Sequence, residues 1–316
     1  MTAPVSPRPT RRRLGARLWA ARMEYLFMLP GLILFGLLIG YPMVASDWFS
    51  LLDWSGFDAK SAFIGLGNYR ELWNDPYFWG AFRRSFFFML GTVPMQMGLS
   101  LVLAIVLNNR LMKWAAVFRT AIFLPVVAPV AVTGIVLTLM LSPFNGPVNG
   151  LLMSLGVIRA PLDFLGSPDL AMPTLIVVFV WKWIGTTMVY WLAALQTVPD
   201  ELYEAARLEG VKGWQMTLFV ILPIILPFAI VIALVSAISA LNVFPLIQSM
   251  TGGGPFYATE VMEVYIFRNA FASTAGSLPR LGYASAAGVF FGLAIMVLTL
   301  LQIASVRWMR RSTRDV

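Results

Sequence analysis

Glu204-Ala205-Ala206-Arg207-Leu208-Glu209-Gly210 is a charged island between long apolar runs, and a short amphipathic run follows it to Val220-Ile221-Leu222-Pro223. Asp200, Glu201 and Glu204 come just after Pro199, at the start of a predicted helix, where acids complement the helix dipole. Gly210 stands where that helix should turn, and Trp214–Leu222 reads as a second helix ending at Pro223. Helix, bend and helix make a compact knob of a kind that fits a partner's cleft. Catalytic chemistry is poorly served elsewhere. The chain has no Cys and no His, which removes thiolate nucleophiles, thiolate metal sites, imidazole acid/base work and the two-histidine zinc helix. It also lacks the Gly-x4-Gly-Lys-Ser/Thr phosphate loop, so it is not expected to hydrolyse ATP itself.

The remaining polar candidates lie in apolar surroundings. Lys182, between Trp181 and Trp183, is the one charge deep inside a predicted span. An ammonium there costs a few kcal/mol, so it marks either a functional site or a side chain held by a carbonyl or a ring. Ser236, Ser239 and Asn242 recur every three residues and are expected to share one helical face. Such a stripe either bonds neighbouring helices or offers hydroxyl and amide groups to a passing solute. Gln96 and Tyr190 are weaker candidates for the same wall, and Pro245 is expected to kink the outer end of that span. This uncharged lining suits a neutral polyol or saccharide better than a phosphate, which would want arginine in its path. Gly252, Gly253, Gly254 and Pro255 supply a tight turn at a membrane exit.

The elements that must hold these residues are membrane helices. Hydrophobic residues make up 59% of the 316 and charged ones 12%, with a mean hydropathy of +0.78, far from a soluble balance. About 20 apolar residues cross the roughly 30 Å of hydrocarbon. Six segments qualify: Tyr25–Ser46, Ser85–Leu107, Thr120–Leu141, Ala171–Leu195, Pro227–Ile247 and Tyr283–Val306. Residues 1–24 read as a basic tail, 25–306 as one six-helix domain carrying a loop at 199–223, and 307–316 as a second tail. Of the 23 Lys and Arg, 15 fall in the tails and in the loops after the second and fourth spans, and seven fall in the other loops. Basic residues mark the cytoplasmic face, so both termini and the Glu204 loop are expected inside. The net charge of +8 is thereby a topology signal, not a nucleic-acid footprint. Trp48, Trp54, Trp73, Trp79, Tyr69 and Tyr77 crowd the first outside loop, as an interfacial belt or a docking surface.

The spacing Glu-Ala-Ala, three residues, Gly, nine residues, then Val220-Ile221-Leu222-Pro223 resembles the coupling motif of permease subunits of binding-protein-dependent ABC importers, with Val220 where Ile is usual. Phe63-Ile64-Gly65-Leu66-Gly67-Asn68-Tyr69 is similar to the first outside loop of sugar-type permeases. Thr251-Gly252-Gly253-Gly254-Pro255 is similar to the first-named permease of maltose- or glycerol-phosphate-type systems. The resemblance implies an all-α polytopic membrane protein with the type I ABC importer permease fold, six transmembrane helices and both termini cytoplasmic, in a bacterial inner membrane. It implies a second homologous permease, two ATPase subunits and an extracytoplasmic solute-binding protein as partners. ATP and Mg would sit on the ATPases, with no cofactor on this chain. Glu204, Ala205, Ala206, Gly210, Leu222 and Pro223 would dock the ATPase. Lys182, Gln96, Tyr190, Ser236, Ser239 and Asn242 are the substrate-path candidates, and Gly252–Pro255 would meet the binding protein. The expected cargo is a di- or oligosaccharide. The rivals are a glycerol-3-phosphate or other polyol-type importer and an ion-gradient-driven carrier, for which only Lys182 speaks.

Overall fold

The computed structural model describes residues 22–57, 61–108, 112–271 and 278–312; most of the basic amino-terminal tail lies outside these. Helix α1 (Arg22–Phe49) loosens into i→i+5 bonding at Gly36–Gly40 and is followed by a two-residue antiparallel ladder, β1 (Leu52–Asp53) with β2 (Ala62–Phe63). Next come α2 (Gly67–Asn74), α3 (Pro76–Leu107), α4 (Ala115–Val127), α5 (Val130–Met140), α6 (Pro147–Ser154) and α7 (Pro168–Leu195). The chain continues with α8 (Asp200–Leu208), α9 (Gly213–Leu241), α10 (Phe244–Met250), α11 (Met262–Phe271) and α12 (Leu281–Ser312). Five of these helices are long and apolar enough to cross a membrane, and the bent pair α4–α5 makes a sixth span.

The expected third span is therefore not one straight helix. Its halves meet at 97°. Ala128 is extended (ψ 138°) and Pro129 caps α5 (φ −57°, ψ 133°), because a residue before proline is pushed out of the helical region. The expected fifth span, Pro227–Ile247, is displaced in both directions. Its helix starts at Gly213 and ends at Leu241, and Phe244–Met250 is a separate helix. The break comes at Asn242 (φ −103°, ψ 63°) and Val243 (φ −110°, ψ 5°). Pro245 sits in the first turn of α10, where its missing N–H costs nothing, so it starts a helix and does not kink one. Helix α12 continues past Val306 to Ser312.

Helices α3 and α7 form the central pair. Glycine permits the closest approaches. A Cβ on Gly91 would fall 2.7 Å from Ile176 Cδ1, and one on Gly185 would fall 2.6 Å from the Ile122 carbonyl oxygen of α4. Two apolar cores follow. One gathers Phe78, Phe88, Phe179, Leu241, Ile247 and Tyr265. The other gathers Leu107, Trp191, Leu195, Val198, Ala206 and Ile225 at the opposite end of the spans. By contrast, α1 has no buried residue in its spanning stretch and meets the body through its last turns against α12.

Candidate functional site

The Glu204 island folds as the spacing predicts up to Gly210 and differently after it. Helix α8 ends in a left-handed turn with Gly210 at φ +74°. The Glu209 N–H donates to Ala205 O (3.1 Å) and the Val211 N–H to Ala206 O (3.0 Å), the six-to-one closure of a helix end by a glycine-centred cap. Lys212 then starts the next helix, with the Gln215 side chain accepting from its backbone N–H at 2.9 Å. That second arm does not end at Pro223. It passes through a widened turn at Met216–Ile221, where the Leu222 N–H reaches Thr217 O, and runs straight on as the fifth span.

Burial divides the six expected docking residues. Glu204, Ala205, Gly210 and Pro223 are exposed, Leu222 is half-buried, and Ala206 is buried in the apolar core with Val198, Met216 and Ile221. Ala206 and Leu222 therefore fasten the hairpin to the spans, while the others face outward. Leu208, 90% exposed at the tip, belongs with the outward set. Its apolar type at the end of a charged helix is the sequence signal that could have singled it out. Burial raises the Tyr203 hydroxyl above its ordinary pKa, and Asp200 adds to the effect.

The candidate path residues do not come together as one stripe. Asn242 is the residue at which α9 ends: its backbone N–H still reaches Ile238 O (3.1 Å), and its amide nitrogen donates to the same oxygen at 2.7 Å. Ser236 is buried whereas Ser239, Asn242 and Tyr190 are exposed. Gln96 is buried and ties α3 to α7 by donating to Thr187 Oγ1 (2.5 Å). Lys182 is fully buried, and its Nζ donates to Pro125 O (2.9 Å) and Ala128 O (2.7 Å) at the bend between α4 and α5. The Trp183 ring lies 5.5 Å from the same ammonium. In this conformation Lys182 serves the backbone of a neighbouring span.

At the other end of the spans the loop segments converge into a polar platform. Asn68 donates to Ser50 O and Leu52 O (both 2.9 Å), and Tyr69 to Ser50 Oγ (2.8 Å). Asp75 caps α3 by accepting from the Tyr77 N–H (2.8 Å), and it also accepts from the hydroxyls of Tyr265 and Tyr283. Burial alone would raise the Asp75 pKa, but these hydroxyls and backbone N–H groups outweigh it and hold the carboxyl below its ordinary value. Burial and the Asp75 acceptor push the Tyr265 hydroxyl up. Glu260 is nearly inaccessible; it receives Arg268 Nε at 2.7 Å, with Arg84 3.9 Å away. Burial raises its pKa and the two arginines partly reverse that. Arg280 meets Glu71 through both terminal nitrogens (2.7 and 2.6 Å).

The Gly252–Pro255 segment closes α10, with left-handed backbone at Gly252 (φ +59°) and Gly253 (φ +91°). The Thr259 hydroxyl donates to Gly254 O (2.6 Å) and meets Thr251 Oγ1 at 2.7 Å. Of the four residues only Gly252 is exposed; the exposed part of this knot is Phe256 (90%) and Tyr257, both at positive φ. Left-handed backbone is uncommon in aromatic residues, so the knot holds them where the sequence offered no cue. A hollow of about 560 Å³ is lined by Gly67, Arg70, Glu71, Asn74 and Asp75. None of the six path candidates lines that hollow. Among the described residues no cluster of acids has the makings of a metal site.

Comparison with known proteins bears on both ends. The family model "Binding-protein-dependent transport system inner membrane component" matches residues 96–315. The lactose transport system permease protein LacF of Rhizobium radiobacter is 33% identical over 285 residues, covering 90% of this chain and 93% of that protein. The trehalose/maltose transport system permease protein MalF of Thermococcus litoralis is 32% identical over 247 residues, 78% of this chain and 83% of that one. In fold, the chain is similar to one from a bacterial alginate ABC transporter crystallised with its alginate pentasaccharide-bound periplasmic protein. The TM-score is 0.82 at 24% identity, over 94% of this chain and 98% of the other.

Proposed function

We infer the task of this chain from its family: it belongs to the inner membrane components of binding-protein-dependent transport systems, and it forms half of the passage of a carbohydrate ABC importer. The cargo is a di- or oligosaccharide. Relatives named for lactose, trehalose/maltose, diacetylchitobiose and arabinooligosaccharides support that class. The site agrees with it, because Lys182 is committed to two carbonyls and the exposed candidates Tyr190, Ser239 and Asn242 are uncharged. A phosphate ester would need a free cation in its path, which disfavours the glycerol-3-phosphate alternative. The partners are a second permease, two ATPases that bind ATP and Mg, and an external binding protein. The termini and α8 face the cytoplasm, on the strength of the basic-residue bias.

The observation that carries this reading is the α8 hairpin. It presents Glu204, Ala205 and Leu208 outward on a turn locked by Gly210, and Ala206 roots it in the core shared by α3, α7 and α9. In this reading, ATP-driven closure of the two ATPases draws the hairpins together and tips the permease pair between inward- and outward-facing states, an equilibrium shifted by nucleotide. Glu204→Ala and Gly210→Pro are expected to leave the protein in the membrane while sugar uptake is lost and ATP hydrolysis no longer responds to the loaded binding protein. Co-purification in mild detergent supplies the complementary test, with an ATPase carrying a phosphate loop expected at near-stoichiometric amount. A chain that purifies alone, or variants that transport as well as the parent, would refute it.

A further inference from the structure

Both broken spans are repaired by an ionisable side chain, fully buried in one case and half-buried in the other, and the two repairs have opposite sign. A helix that stops inside apolar surroundings leaves carbonyls unpaired at its end and N–H groups unpaired at its start. At the end of α4 Lys182 donates to two of the terminal carbonyls, those of Pro125 and Ala128. Its charge also complements the negative end of that helix. At the start of α10 the unpaired groups are N–H donors, and Glu263 supplies the acceptor: its Oε2 receives the Phe244 N–H at 2.6 Å, and its carboxyl also bonds the Val243 N–H. Lys182 reaches in from α7 and Glu263 from α11. Both carriers belong to the packed body, since α7 pairs with α3 and α11 with α12.

The segments beyond the two breaks are themselves fastened together. Helix α10 packs chiefly on α5. A Cβ on Gly134 of α5 would lie 2.0 Å from Ser249 Oγ and 3.0 Å from Ser249 Cβ, so the two helices meet closely there and a larger residue would force Ser249 to shift. Thr133 and Gly134 are the buried residues of α5, and Leu246, Ile247 and Met250 those of α10.

We propose that Lys182 and Glu263 are a matched pair of positioning residues that set the angles at the two breaks, making α5 and α10 one rigid flap hinged on α4 and α9 at residues 128–129 and 242–243. This goes beyond the transport reading and needs no assumption about the solute. Its distinctive consequence is a cross-effect: loosening the α10 hinge must also loosen α5, although Glu263 has no bond to α4 or α5.

Because the chain contains no cysteine, it is spin-labelled only where cysteines are introduced, and the partners are added after labelling. Labels at Val117 on α4 and Leu139 on α5, both exposed, report the bend by pulsed electron spin resonance on the full chain in lipid nanodiscs with its co-purifying subunits. Lys182→Met and Glu263→Ala are each expected to broaden that distance distribution about twofold, since each releases one restraint on a two-state element. Lys182→Arg, which keeps the donors, and Glu263→Gln, which keeps an acceptor, are expected to retain the parent's width. A control pair at Val102 on α3 and Val177 on α7 reports the body and should not change. Should Lys182→Met broaden the control pair as well, the Glu263→Ala arm decides alone. A Glu263→Ala distribution as narrow as the parent's between α4 and α5 would overturn the proposal, and so would an unchanged Lys182→Met.

Discussion

Gly185→Ala adds one methyl group to the middle of α7, and the structure gives it nowhere to go. The new Cβ would stand 2.6 Å from Ile122 O, 2.9 Å from Phe123 Cα and 3.2 Å from Ile122 C. All three are backbone atoms, so no rotamer change relieves the contact, and α4 must retreat by several tenths of an ångström. Overpacking of this kind costs about 1–3 kcal/mol. The retreat also lengthens the Lys182 bonds to Pro125 and Ala128, one helical turn away, and bonds to a charged donor are worth about 1.5–3 kcal/mol each when intact. Against this stands the helix propensity gained on replacing glycine by alanine, about 1 kcal/mol. The net expectation is a loss of about 1–2 kcal/mol. Gly98→Ala is the matched control. Gly98 lies within α3 with nothing inside 4 Å of its would-be Cβ, so the same substitution there should stabilise by about 0.5–1 kcal/mol. Thermal denaturation of the purified complex in one detergent, both variants beside the parent, reads the difference as midpoints moving in opposite directions. Equal shifts, or a Gly185→Ala midpoint at or above the parent's, would refute the claim that backbone proximity sets the α4–α7 spacing.

Two further outcomes concern Asp75 and Glu263. Asp75 is held below its ordinary pKa by Tyr265, Tyr283 and backbone N–H groups; its stabilising contribution is therefore fully present above the ordinary 3.8 and is lost as pH falls through the depressed value. Asp75→Asn should cost about 1–3 kcal/mol near neutral pH, and midpoints measured at descending pH should bring variant and parent together. Glu263 is raised by burial, only partly offset by the N–H groups of Phe244 and Val243. Its contribution is then complete below the ordinary 4.5 and declines as pH climbs through the raised value. Glu263→Gln should flatten that flank of the midpoint-against-pH curve, and an unchanged slope would show that the carboxyl is not in an apolar setting.

Much of this architecture was legible because hydropathy reports burial in lipid directly. All six apolar segments are helical, and the Gly210 bend lies where the spacing put it. The breaks were less legible, and for different reasons. Ala128-Pro129 carries its signal openly, since proline restrains the residue before it, but a continuous apolar run hides the bend from any window average. At Asn242 no proline marks the stop, and Pro245 three residues on points to the wrong place because it suits a helix start. Side-chain pairing across the sequence was not legible at all. Asp75 meets tyrosines 190 and 208 residues away, a distance over which neither periodicity nor motif speaks. Two of the familiar motifs prove to be tie points: Asn68 and Tyr69 fasten the chain at Ser50 and Leu52, and the glycine triplet closes α10. The even spacing of Ser236, Ser239 and Asn242 did not reveal that the helix ends at its third member.

The coupling hairpin and the candidate path share one helix, and that fact constrains how force can travel. Helix α9 runs from Gly213, four residues from the tip at Glu209, to Leu241 beside Asn242. At about 1.5 Å per residue it is roughly 43 Å long, more than the roughly 30 Å of hydrocarbon. Only the turn at Glu209–Lys212 separates α8 from this helix, so in the proposed mechanism displacement of α8 is delivered to residues 236–242 as tilt or translation of a rod. The rod is interrupted by the widened turn at Met216–Ile221 and by Pro223 and Pro227 just beyond it, and there it is braced: Met216, Ile221 and Ile225 are buried with Ala206 and Trp191. Bracing at that turn makes bending costlier than moving the rod as a whole. In the proposed mechanism any bend is then left to the far end, at Asn242–Val243, where the helix is already broken and Glu263 holds the next one in place.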